Sequence, residues 1–166
     1  MLAIRPARSA DHAAIVAIVA PVLAAGETYA MPQDLSAEGV AAYWLMPEHE
    51  VFVAVDDSDG HDVIIGTYYL QPNQRGPGAH VANCGYITSP AARGKGVARA
   101  MCTHSLDRAR ARGFRAMQFN HVVSTNTVAV ALWQQLGFRI VGTLPGAFAH
   151  PRLGDVDAYV MFQTFA

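Results

Sequence analysis

Residues 90–99 read Pro90-Ala91-Ala92-Arg93-Gly94-Lys95-Gly96-Val97-Ala98-Arg99, a run that combines glycine, two basic residues and the opening of a helical pattern. Glycines let a backbone approach a ligand closely, and the first N–H groups of a helix lack internal partners. Those donors and the helix dipole favour an anion such as a pyrophosphate, with Arg93 and Lys95 adding charge. Two common phosphate loops are excluded. A GxxxxGK[ST] loop needs Ser or Thr where Gly96 stands, and a GxGxxG fingerprint needs glycine where Arg99 stands. Taken alone, the segment reads equally as an ordinary glycine-containing strand-to-helix turn.

Other reactive residue types are scattered. The seven histidines show no HExxH or HxxxH spacing, so no metal site is expected. Cys84 and Cys102 lie in apolar stretches outside any CxxC spacing, which suits buried free thiols in a reducing compartment.

The elements that must position the loop follow from periodicity and breakers. A strand is predicted at Ala3–Pro6, a helix at about Asp11–Ala24, and a second helix capped by Ser36 and stopped before Pro47. Glu50–Val55 and Val63–Leu70 read as paired strands around a turn at Asp56–Asp62, followed by a loop at Pro72–Gly78. His80–Thr88 is the strand that feeds the glycine-rich segment. The next helix, about Gly96–Arg112, carries Ala98, Met101, Cys102, Leu106 and Ala109 on one face, and Gly113 closes it. Strand Ala116–Val123, helix Thr125–Leu136, strand Phe138–Thr143, a Gly/Pro-rich loop Leu144–Gly154 and strand Ala158–Thr164 complete the chain. This order predicts one α+β domain, residues 1–166, on a mixed, mostly antiparallel sheet.

With 166 residues, 52% of them hydrophobic and 15% charged, the chain can bury a core without disulfides or metal. A net charge of −1 with dispersed arginines argues against nucleic acid as a partner. Arg5 and Arg8 before the apolar run Ala13–Ala25 imitate a short signal peptide, but Asp11, His12 and Pro21 interrupt that pattern. A cytoplasmic protein with no membrane span is expected.

Arg93, Gly96 and Ala98 match the [Q/R]xxGx[G/A] signature of the GCN5-related N-acetyltransferase (GNAT) superfamily. Asn126-x-x-Ala129-x-x-Leu132-Trp133-x-x-x-Gly137-Phe138 matches a second feature, and Ile4-Arg5-Pro6-Ala7 with Asp11 looks like the family's opening. The resemblance spans essentially the whole chain. Through Met117-Gln118-Phe119-Asn120 and Gly142-Thr143-Leu144-Pro145-Gly146-Ala147-Phe148 with His150-Pro151, it most resembles the branch of yeast acetyltransferases of proline analogues such as L-azetidine-2-carboxylate.

The resemblance implies a sheet of about seven strands and about four helices, with acetyl-CoA lying where the fourth and fifth strands splay. Backbone at Tyr86, Ile87 and Thr88 would pair with the pantetheine arm, and the amides of Gly94, Lys95, Gly96, Val97, Ala98 and Arg99, beside Arg93, would hold the pyrophosphate. Asn126 would contact the cofactor, or cap a helix, or both. Where some members place a glutamate base, this chain has His80; an imidazole can accept an ammonium proton, or simply bond to backbone. Where many carry a tyrosine acid, it has Trp133, whose indole N–H is no proton source, so packing against cofactor or core is expected. Asn120 would hold the substrate, or satisfy backbone at the splay. Glu27, Tyr29 and Tyr43 stand in or near helices that wall the acceptor pocket, and Leu144–Gly154 would be a lid or a dimer contact. The implied activity is direct acetyl transfer to a small amine such as an amino acid or proline analogue. A phosphinothricin-type or other detoxifying acetyltransferase, or a non-catalytic acyl-CoA sensor, are the alternatives, and a homodimer is possible.

Overall fold

The computed structural model describes every residue except Asp59 and Ala166. Asp59 belongs to the predicted turn at Asp56–Asp62 and lies outside the described residues. Seven strands form one sheet in the order β1-β2-β3-β4-β5-β7-β6: β1 Leu2–Pro6, β2 Glu50–Asp56, β3 Val63–Pro72, β4 Val81–Thr88, β5 Ala116–Val123, β6 Arg139–His150 and β7 Gly154–Thr164. All neighbours are antiparallel except β4 and β5. The helices are α1 His12–Ala25, α2 Ala37–Trp44, α3 Val97–Ala111 and α4 Thr127–Gln135. None of them is long and apolar enough to cross a membrane.

Two apolar layers enclose the sheet. On one face Ile15, Val19 and Leu23 of α1, spaced one helical turn apart, pack with Val40 and Trp44 of α2 on Val53, Val55, Tyr69 and Ile87. Trp44 is fully buried, and its indole N–H donates to Thr67 Oγ1 at 3.1 Å, so the polar end of the ring is satisfied. On the other face Val97, Met101, Leu106 and Ala109 of α3 and Trp133 of α4 pack on Tyr68, Cys84, Met117 and Phe119. Gly26 ends α1 in the left-handed conformation (φ 63°), and Ser36 Oγ accepts from Gly39 N at the start of α2. Arg5 grips Asp11 with both guanidinium nitrogens at 2.7 and 3.0 Å, locking β1 to the entry of α1.

One predicted segment is corrected. Leu144–Gly154 is not a loop: β6 runs on to His150, β7 begins at Gly154, and only residues 151–153 turn. Pro145 is tolerated because β6 is the sheet edge, where its missing N–H breaks no ladder. The register skips between Leu144 and Phe148, and Gly146 (φ 57°) supplies the left-handed residue of that bulge, its N–H donating to Asp157 Oδ1 at 2.9 Å.

Candidate active site

The parallel ladder between β4 and β5 holds only two register pairs, Val81↔Ala116 and Ala82↔Met117. Beyond them the strands part, and Asn83 Nδ2 spans the opening to Gln118 O at 2.9 Å. Antiparallel pairing alternates residues bonded to the neighbour with residues that face away. Because Asn73 N bonds Val81 O and Ser89 N bonds Ile65 O, the odd-numbered residues of β4 pair with β3. Tyr86 and Thr88 therefore turn their backbone groups into the wedge. Tyr86 O is already taken, by Tyr29 OH at 3.1 Å.

The wedge opens toward the start of α3. Gly94 and Gly96 both have φ of 76°, a conformation that favours glycine, and Gly96 is the N-cap. The first helical bond is Ala100 N to Gly96 O, which leaves the amides of Val97, Ala98 and Arg99 without helical partners. Arg93 N and Lys95 N instead bond Pro90 O and Ala92 O, each at 3.3 Å. The Arg93 and Lys95 side chains are exposed, and Arg99 reaches across to Gln135 Oε1 of α4. The Val97 side chain is core, so only its amide serves the helix start.

On the face of α1 and α2, carboxamides line the opening. Gln71 Nε2 donates to Asn83 Oδ1 at 3.3 Å, Gln118 Nε2 to Asn120 Oδ1 at 2.9 Å, and Asn120 Nδ2 to Asn73 Oδ1 at 2.7 Å. A pocket of about 230 Å³ lies between the segment after α1 and β6, lined by Gly26, Tyr29, Met31 and Phe148 among others. Its rim is tied by Arg152 to Glu27 at 2.8 Å, so the β6–β7 hairpin closes against that segment. Burial pushes the Tyr29 phenol up. Tyr43 OH pairs with Tyr69 OH at 3.2 Å beneath α2, and burial raises it too.

His80 and Ile87 stand away from the wedge, while Trp133 and Asn126 take the core and capping positions that were among their expected roles. His80 lies at the closed end of the wedge, roughly 20 Å along β4 from Tyr86 at about 3.3 Å per residue. It is exposed, its Nδ1–H donates to Pro77 O at 3.0 Å, and its own carbonyl accepts from Arg115 N, so it takes the backbone-bonding role. Ile87 turns its backbone toward Thr67 of β3 and its side chain into the core, away from the wedge. Trp133 is only 8% exposed and packs on Tyr86 and Phe119, with ring centroids 5.1 and 5.3 Å away; it is core. Asn126 Oδ1 caps α4 by accepting from Ala129 N at 3.4 Å. The Tyr86 hydroxyl meets Ser105 Oγ at 2.7 Å and is held well above its ordinary pKa by burial. Of this carboxamide row only Asn120 was expected; the signal for Gln118 was its alternation with Asn120 along a strand whose Met117 and Phe119 are apolar.

The model of the acetyltransferase (GNAT) family matches residues 22–138, from within α1 through the glycine loop to the end of the α4 segment. The chain belongs to this family. A solved GCN5-related N-acetyltransferase from Kribbella flavida shares 46% identity and superposes with a TM-score of 0.92, covering 99% of this chain and 98% of that one. The N-acetyltransferase aca1 of Schizosaccharomyces pombe is 34% identical over 112 residues, 65% of this chain; the chain spans about half of that relative's length, 52%. A phosphinothricin acetyltransferase from Sinorhizobium meliloti, solved in complex with acetyl-CoA, shares the GNAT fold at 22% identity and a TM-score of 0.84, with 99% of this chain and 89% of that one covered.

Proposed function

We propose that the chain transfers an acetyl group from acetyl-CoA directly to the amine of a small acceptor. The carrying observation is the wedge that leaves the Tyr86 N–H and the Thr88 backbone without a strand partner and leads to a helix start with free amides. The amides of Gly94, Gly96, Val97, Ala98 and Arg99, beside the Arg93 and Lys95 side chains, would hold the pyrophosphate. The pantetheine arm would run down β4, with the Tyr86 N–H donating to the thioester carbonyl as charge develops on its oxygen. Asn126 Nδ2, which has no partner among the described residues, remains for the cofactor while Oδ1 caps α4.

The acceptor nitrogen, once neutral, attacks the carbonyl carbon; the C–N bond forms, the C–S bond breaks, and the thiolate takes a proton. Neither Tyr86, buried and bonded to Ser105, nor Trp133 supplies that proton. The N–H of the collapsing intermediate is the source this geometry favours.

A pocket of about 230 Å³ falls below the roughly 300–1,000 Å³ of sites for drug-sized ligands, which favours a compact acceptor. Carboxamides both donate and accept, as a carboxylate next to an amine requires, and Asn120 stands at the mouth of that row. An amino acid or a cyclic proline analogue is the acceptor we infer. The buried free thiols of Cys84 and Cys102 suit a reducing compartment such as the cytoplasm. Thiol release from acetyl-CoA against a panel of amino acids, proline analogues and phosphinothricin tests the reading. Turnover on a small amino acid supports it; tight acetyl-CoA binding without turnover on any amine would point to a sensor instead.

A further inference from the structure

An acceptor amine is protonated at neutral pH and must lose a proton before it can attack, and with His80 outside the wedge the site needs another base. We propose that His121 is that base, an inference that rests on the acetyl-transfer reading of the site. Its Nε2 is buried and has no hydrogen-bond partner among the described residues. Leaving a buried polar atom unpaired costs about 1–3 kcal/mol, and native structures keep few of them. The other described case, Gln163 Oε1, sits on β7 opposite Met117, at the closed end of the wedge.

His121 stands on the open stretch of β5. It lies four residues beyond Met117, as Tyr86 lies four beyond Ala82, past the last register pair that joins the two strands. Opposite β7 the register skips between Phe119 and Val122, a bulge of the kind that re-aims a side chain. The imidazole packs 6.1 Å from the ring of Phe148, which lines the acceptor pocket with Tyr29 and Gly26. The unpaired ring nitrogen thus belongs to a side chain packed on one wall of that pocket.

The titratable groups on the surrounding elements do not compete for the role. On β6, His150 Nδ1 accepts from Arg152 N at 3.2 Å. Beyond α1, Glu27 is paired with Arg152, and Tyr29 donates to Tyr86 O. On β7 stand Asp155, Asp157 and Tyr159, with Asp157 accepting from Gly146 N. Burial keeps the Cys84 thiol and Tyr86 phenol of β4 protonated, and α4 carries no titratable side chain. His121 takes one proton from the ammonium, the neutral nitrogen attacks, a second proton passes from that nitrogen to the departing sulfur, and His121 returns its own to solvent. Imidazole is the side chain suited to that cycle between pH 5 and 8.

The test is His121→Gln with His121→Asn beside it, using the acceptor that wild type turns over. Expected are an acetyl-CoA Kd within about twofold of wild type, a fall in kcat/KM of about 100-fold or more at pH 7, and loss of the acid limb of the pH profile. With an acceptor already neutral at the assay pH, such as an alkoxyamine, the fall shrinks to about threefold or less. A rate within about threefold of wild type with the acid limb intact overturns the proposal. So does an equal fall with the neutral acceptor, or a parallel loss of acetyl-CoA affinity, since either marks a structural role. If the glutamine variant does not fold, the asparagine variant and an NMR titration of the wild-type imidazoles decide: no ring titrating in step with the kinetic limb overturns it. Acetyl-CoA binding by wild type without turnover of any amine would instead bring down the acetyl-transfer reading, and this inference with it.

Discussion

Gly96→Val probes the helix start from two directions. Gly96 has φ 76° and ψ 7°, and a Cβ built there meets no atom within 4 Å, so the cost lies in the backbone and not in a clash. An L-residue held left-handed costs about 1–2 kcal/mol, with a β-branched side chain at the upper end. At roughly 2–4 °C per kcal/mol for a domain of this size, the melting temperature should fall by about 2–8 °C. Relieving the strain by rotation re-aims the amides of Val97, Ala98 and Arg99. Losing one charge-assisted hydrogen bond, about 1.5–3 kcal/mol, weakens acetyl-CoA binding by about 10- to 150-fold. Titration calorimetry with acetyl-CoA reads the second effect, and S-acetylpantetheine, which lacks the pyrophosphate, is the control whose affinity should not move. An unchanged acetyl-CoA Kd in a folded variant refutes the reasoning, as does an equal loss for the control.

Asp11 is held below the usual carboxylate pKa by the Arg5 guanidinium and by the Arg8 amide. A depressed pKa adds stability above the unfolded value of about 3.9 that is lost as pH falls through the folded value. Asp11→Asn should therefore cost about 1.5–3 kcal/mol at pH 7, and urea denaturation should show the gap closing below about pH 4. His80→Gln should leave the pH profile of kcat/KM unchanged, in contrast to the His121 variants, since His80 stands at the closed end of the wedge. Burial raises both thiols, Cys102 up to about 12 and Cys84 further. Neither should react with a disulfide reagent at pH 8 until the chain is unfolded, which a spectrophotometric thiol count with and without denaturant checks.

Periodicity and breakers placed nearly every element within two residues, because helix faces such as Ile15, Val19 and Leu23 and stops such as Gly113 are local features. The long β6 escaped because Pro145 and Gly146 look like a loop unless the strand is known to be an edge with a bulge, and edge position is a property of the whole sheet. The glycine loop was legible as a strand-to-helix turn with free amides, and its proposed phosphate-binding role became specific only with the Asn126–Phe138 match in register. The resemblance put His80 where some family members place a base and could not tell the closed end of a wedge from its open end; His121 became visible only through burial and the missing partner. Ile87 shows the same limit, since which of two adjacent residues faces a partner depends on ladder register.

Acetyl transfer, beyond acyl-CoA binding, is the activity proposed for this wedge. Incubating the wild type with acetyl-CoA and a small amino acid, while following free thiol and the mass of the amino acid together, tests it most directly. Expected are N-acetylated amino acid formed in step with coenzyme A thiol, and a parallel fall of both in Gly96→Val at limiting acetyl-CoA. Thiol release without an acetylated acceptor, or no release while acetyl-CoA binds tightly, would contradict it.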